Sequence, residues 1–114
     1  MAKRTGKASG GGAGLGGDRI YKVARLSETQ IAVGLERLTE WAQVGDTIQR
    51  TFTFKDFIEA MKFVDKAAAA AEAVQHHPDI LIRYNRVTMT LSTHDAGGIS
   101  QKDMDMAGAL DRMG

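Results

Sequence analysis

Two runs of alternating residues stand back to back, separated only by Asn85 and Arg86. Ile80, Ile82 and Tyr84 have Asp79, Leu81 and Arg83 between them, while Val87, Met89 and Leu91 alternate with Thr88, Thr90 and Ser92. A period of two marks strands that bury one face. A tight turn at Asn85-Arg86 predicts Tyr84 opposite Val87, Ile82 opposite Met89 and Ile80 opposite Leu91. That register gathers six apolar side chains on one side of a hairpin. Arg86 suits a two-residue primed turn poorly, which leaves a slip of one residue or a longer loop as the alternative. A hairpin with such a face cannot stand alone, so the rest of the chain must extend the sheet and cover it.

The remaining segments supply both. Trp41 to Val44 and Thr47 to Phe54, separated by Gly45-Asp46, read as a second hairpin in which Ile48, Phe52 and Phe54 alternate with Thr47, Gln49, Thr51 and Thr53. Ser27 followed by Gln30 is a capping-box pattern that opens a helix over 28–39, with Ile31, Val33, Leu35 and Leu38 as its apolar contacts. From Asp56 to Gln75 the spacing is helical, with Phe57, Met61, Val64, Ala68 and Ala71 predicted inward and Lys55, Glu59, Lys62 and Lys66 outward. Phe63 and the run Ala67 to Ala71 widen the apolar surface of this helix. Either it meets another subunit, or alanine is there only as a good helix former. Ser100 with Asp103 caps a last helix that turns Met106, Ala107, Leu110 and Met113 inward. The order α-β-β-α-β-β-α predicts an α+β fold, a four-stranded antiparallel sheet with three helices packed on one face.

A chain of 114 residues has room for one such domain. The segment 1–17 is Gly-rich with scattered basic residues and reads as a disordered tail, leaving 18–114 as the domain. Its basic, acid-free start is also compatible with the remnant of an organelle transit peptide. With no cysteine, disulfides, thiolate metal sites and a Cys nucleophile are excluded, and a cytoplasmic location is the simplest expectation. The net charge of +1 owes much to Lys3, Arg4 and Lys7, so no basic stripe argues for nucleic acid. No apolar run is long enough to span a membrane.

Chemistry gathers late in the sequence. His76, His77 and His94 are the only histidines, and the expected register sets His77 opposite His94 at the open end of the hairpin. Glu72 stands one helical turn before His76, and Asp103 follows the loop Asp95 to Ile99, whose Gly97-Gly98 pair would let backbone approach a ligand closely. Each residue also has a plain structural reading. Histidines at a helix end complement its dipole, and Asp103 is a good capping residue. Three imidazoles and a carboxylate are a familiar zinc set, but adjacent His76 and His77 diverge in extended backbone and no His-Glu-x-x-His spacing is present. No serine sits in a nucleophile-elbow pattern.

In order and spacing, Glu72, His76-His77-Pro78, Tyr84, His94 and Asp103 resemble the signature of the pterin-4a-carbinolamine dehydratases. Phe52 to Phe57 and Leu91 to Asp95 are similar to the same family, and the likeness runs from about Leu26 to the C-terminus. The resemblance implies the fold read above, with dimers or tetramers formed through helix 56–75. It implies a lyase that removes water from 4a-hydroxy-tetrahydropterin to give quinonoid dihydropterin, without metal or other cofactor, in the recycling of tetrahydrobiopterin. It further implies His76 and His94 as a general acid/base pair and His77 as the residue that holds the pterin and orients N5. Glu72 and Asp103 would orient imidazoles or tune their charge, and Gln75, Pro78 and the backbone of Ser92, Thr93 and Asp95 would contact the ring. Trp41 aligns with a tryptophan near the family's pocket. Gln75 stands where an acidic residue or Asn is frequent, and Glu40 stands where Gly is usual. An aromatic amino-acid hydroxylase is the implied enzymatic partner. The resemblance also carries the alternative of a dimerisation partner for a transcription factor or for the hydroxylase.

Overall fold

A computed structural model describes residues 23–114, so the expected tail at 1–17 and the domain start at 18 lie outside the described residues. The elements are α1 (Glu28–Leu35), β1 (Ala42–Val44), β2 (Thr47–Thr53), α2 (Phe57–Val74), β3 (Asp79–Arg83), β4 (Arg86–Leu91) and α3 (Gln101–Met113), with a short 3-10 turn at His94–Ala96 before α3. The four strands form one antiparallel sheet in the order β1-β2-β4-β3. This is the α-β-β-α-β-β-α order expected from the sequence.

Alternation decides the faces of the sheet. Ile48 and Phe52 of β2 and Val87, Met89 and Leu91 of β4 are buried and join the core with Ile31 of α1 and with Met106, Ala107 and Leu110 of α3. The opposite face carries Thr47, Gln49, Thr51, Thr53, Thr88 and Thr90, knitted by Gln49 Nε2 donating to Thr90 (3.0 Å) and by a Thr51–Thr88 hydroxyl pair (2.7 Å). Among the described residues no helix packs there, which is why polar side chains are tolerated at every second position.

Three expectations need correction. First, the turn between β3 and β4 is Tyr84-Asn85 rather than Asn85-Arg86, so Ile82 faces Val87, Ile80 faces Met89 and Arg83 faces Arg86. Asn85 is committed elsewhere: its Nδ2 donates to the Phe54 carbonyl at 2.8 Å, and the Phe54 amide donates to the Asn85 carbonyl at 2.8 Å. That lock moves the turn one residue earlier and places Tyr84 at φ +52. Moving both strands by one residue keeps Ile80 and Ile82 on the apolar side, though at its exposed edge, while Tyr84 leaves the ladder for the exposed turn and Leu91 pairs with Ile48 of β2 instead. Second, α2 is rotated from its predicted orientation and buries Ala60, Phe63, Ala67 and Ala71, leaving Phe57 and Ala68 exposed. Third, α1 stops at Leu35 rather than Thr39, and the chain continues in tight turns closed by Leu38 N donating to Leu35 O (3.1 Å) and Trp41 N donating to Leu38 O (2.9 Å). Among the described residues no helix is long and apolar enough to cross a membrane.

Candidate active site

Thr93, Ser100 and Asp103 are the buried polar side chains among the described residues, and all three belong to one network. Ser100 is the N-cap of α3 and Asp103 is its N3 residue, so the capping box turns the carboxylate back toward the start of the helix. Asp103 Oδ2 accepts from the Ser100 backbone N–H (2.9 Å) and from the Thr93 hydroxyl (2.8 Å), while Oδ1 lies 2.6 Å from His76 Nε2. Thr93 and Ser100 hydroxyls are 2.6 Å apart, and the Ser100 hydroxyl accepts from the Lys102 N–H at 3.2 Å.

The proton directions follow from counting donors. An ionised carboxylate only accepts, so Thr93 gives its single hydroxyl proton to Asp103. Ser100 must then donate to Thr93, and its own oxygen is free for the Lys102 amide. The remaining carboxylate oxygen requires a proton on His76 Nε2. His76 is thereby held with Nδ1 as its free nitrogen, the arrangement in which a buried carboxylate orients an imidazole and stabilises its cation.

The end of α2 supplies the histidines. Gln75 closes the helix in the left-handed region at φ +52, with the His76 amide donating to Ala71 O (3.1 Å) and the Gln75 amide to Glu72 O (3.3 Å). This Schellman-type ending swings His76 toward α3. Buried Pro78 favours extended backbone at His77. The His77 ring accordingly points elsewhere, its Nε2 lying 2.5 Å from Glu72 Oε2 on an exposed surface. His94 opens the 3-10 turn directly after Thr93 and is exposed, with no side-chain hydrogen bond among the described residues. Its loop is closed by reciprocal bonds between Thr93 and Gly98, of 2.8 Å and 3.3 Å.

Several predicted residues occupy places different from those expected. With β3 and β4 paired up to Asp79↔Thr90, His77 is not opposite His94 in the ladder; the link between the two segments runs instead through Thr93, Asp103 and His76. The Thr93 side chain faces Asp103, whereas the side chains of Ser92 and Asp95 beside it are exposed. Gln75 Nε2 folds back onto Glu72 O at 2.8 Å. Gly97 is required by its own φ of +71, and a Cβ on Gly98 would come within 2.9 Å of Arg25 Nε, so both glycines have reasons internal to the fold.

Trp41 is not brought to this cluster. Its Nε1 donates to Asp111 Oδ1 (2.8 Å), which also accepts from Arg50 Nη1 (2.7 Å), about 12 Å along α3 from Asp103 at 1.5 Å per residue. Sequence reasoning missed Ser100 as the partner of Thr93, although its capping-box spacing to Asp103 held the signal. Among the described residues no three His, Asp or Glu side chains converge as a metal-ligand set.

The family model for Pterin 4 alpha carbinolamine dehydratase matches residues 24–113. The chain belongs to the pterin-4-alpha-carbinolamine dehydratase family. A Picosynechococcus protein named as a candidate pterin-4-alpha-carbinolamine dehydratase is 54% identical over 89 residues, covering 78% of this chain and 97% of that relative. Among solved structures, a transcriptional coactivator/pterin dehydratase from Brucella melitensis is 38% identical with a TM-score of 0.76, covering 78% of this chain and 97% of its own. A pterin dehydratase-like protein described as a RuBisCO assembly factor in the alpha-carboxysome shares the fold at 22% identity and a TM-score of 0.57, covering 65% of this chain and 88% of its own. The span matched by the dehydratase family holds Glu72, all three histidines and the Thr93–Ser100–Asp103 network.

Proposed function

We propose that this protein dehydrates 4a-hydroxy-tetrahydropterins by general acid/base catalysis between His76 and His94. The observation that carries the reading is the buried Asp103 carboxylate on His76 Nε2, which leaves an oriented Nδ1 as base in a chain of the dehydratase family. In the substrate a hydroxyl and N5 share carbon C4a. His94, exposed and able to exchange with solvent, gives a proton to the hydroxyl. The C4a–O bond breaks, water leaves, and the N5 lone pair closes the C4a=N5 double bond. The N5 proton passes to His76, whose cation Asp103 stabilises. His77, steadied by Glu72, holds the ring and orients N5, with Ser92, Asp95, Gln75 and Pro78 at the rim. Each assisted proton transfer is worth roughly 10² to 10⁴ in rate. The quinonoid dihydropterin product would then be available for reduction back to tetrahydropterin.

The decisive test follows dehydration of carbinolamine generated in situ by an aromatic amino-acid hydroxylase, using ultraviolet absorbance. Wild type should accelerate the reaction, and His76→Ala and His94→Ala should each remove most of the acceleration. A folded wild type without effect would sink the proposal.

A second reading, association through α2 with another subunit, with a hydroxylase or with a transcription factor, is favoured by Phe57 and Ile58 on that helix, which are 45% and 62% exposed. It is compatible with catalysis, since those residues lie at the helix end remote from His76.

A further inference from the structure

On the open face of the sheet Arg83 and Arg86 stand directly opposite each other across the β3–β4 turn. Like charges on facing residues repel and destabilise a hairpin. Neither guanidinium makes a salt bridge or side-chain hydrogen bond among the described residues, although Arg25, Arg50 and Lys62 each have a carboxylate partner. Two cationic residues paired across a ladder with no counter-charge among the described residues break a local rule, and such breaks concentrate at functional sites.

The surroundings say what would compensate. Arg83 and Arg86 border a hollow of about 190 Å³ whose remaining walls are Thr51, Thr88 and Leu81, contributed by three neighbouring strands. Thr51 and Thr88 share one hydrogen bond of 2.7 Å, which uses one of their two hydroxyl protons and leaves the other to donate. The charged and polar lining therefore offers guanidinium forks and a hydroxyl donor, with no carboxylate to repel an anion. Planar guanidinium groups match phosphate oxygens in pairs, which a single ammonium does not. Leu81, 56% exposed, adds an apolar wall on one side. That wall suits the carbon side of an ester better than a fully hydrated ion.

We propose that Arg83, Arg86, Thr51 and Thr88 form a binding site for the dianionic phosphate of a small phosphomonoester, on the sheet face that the helices leave open. The site is separate from the histidine cluster and does not depend on the dehydratase reading. Its occupant neutralises the Arg83–Arg86 repulsion, so binding and hairpin stability are coupled: the ligand should stabilise the protein, and loss of either arginine should stabilise the ligand-free form.

The test is a titration of the full chain with glycerol 3-phosphate, inorganic phosphate, glycerol and a short oligonucleotide, followed by backbone amide shifts and by thermal unfolding. Glycerol 3-phosphate should give saturable shifts confined to residues around 51, 81, 83, 86 and 88 and raise the melting temperature. Inorganic phosphate should bind more weakly, and glycerol not at all. Arg83→Gln and Arg86→Gln should each weaken binding at least tenfold, and each should melt higher than wild type in phosphate-free buffer. Shifts spread over the lysines of α2, binding unchanged in both variants, or tighter binding to the oligonucleotide than to the monoester would each overturn the proposal.

Discussion

Asp103 has no exposed surface, so its two carboxylate oxygens are satisfied by three protein partners rather than by water. Replacing it with Asn keeps the size but turns one acceptor into a donor. If the amide oxygen keeps the Thr93 and Ser100 donors, the amide nitrogen faces His76 Nε2, and His76 must carry its proton on Nδ1 instead. We expect Asp103→Asn to cost about 1–3 kcal/mol of stability through the disturbed buried network. If His76 is the base, the variant should also lose most of the dehydration rate, because the nitrogen that accepts the proton is then occupied. Imidazole ¹⁵N shifts of His76 report the tautomer directly, and an unchanged tautomer would refute the donor accounting. Thr93→Val should act more mildly on the tautomer, since the Asp103–His76 contact stays. It strands the Ser100 hydroxyl proton and should lower stability by about 1–3 kcal/mol in a denaturant titration.

At the level of elements, the end of α2 shows how a helix cap can set a candidate site. Gln75 occupies a left-handed position at which most side chains crowd their own backbone, and its amide bonds the Glu72 carbonyl. A Gly there removes the crowding, while a β-branched residue aggravates it and cannot replace the bond. Gln75→Gly should therefore change stability by less than about 1 kcal/mol. Gln75→Val should cost roughly 1–2 kcal/mol and loosen the His76–Asp103 contact. Equal melting temperatures for the two variants would contradict this. The histidine pair after the helix, the strands and the capping box were all legible in the sequence, because alternation and capping are local signals. Turn placement was legible only as a choice between two registers, because the choice depends on Asn85 meeting Phe54 just past the end of β2. The buried side of α2 was not legible: its apolar residues wrap most of the helix, and alanines give little contrast to locate the centre of the stripe. The partner of the Thr93 side chain was not legible either, since Asp103 becomes its neighbour only in the folded chain.

For the whole molecule, what remains uncovered is as informative as what is buried. The rotation of α2 commits Ala60, Phe63, Ala67 and Ala71 to the core and leaves Phe57, Ile58, partly buried Met61 and Ala68 along another side. A large side chain such as Ile gains about 1.5–3 kcal/mol when it is fully buried, so a stripe of this kind favours self-association. Placing a carboxylate in that contact forfeits the gain and adds the cost of desolvating a charge. We therefore expect sedimentation to show wild-type assemblies larger than the protomer and Ile58→Glu to raise the dissociation constant at least tenfold with the circular dichroism spectrum unchanged. A variant that sediments like wild type would remove α2 as the interface. Ile58 is about 21 Å along the helix from Glu72 at 1.5 Å per residue, too far to touch a substrate held by the histidines. If the proposed dehydration belongs to one protomer, the dissociated variant keeps its rate per chain. If the rate falls in step with dissociation, a neighbouring subunit completes the site, and the assembly is then part of the catalytic unit.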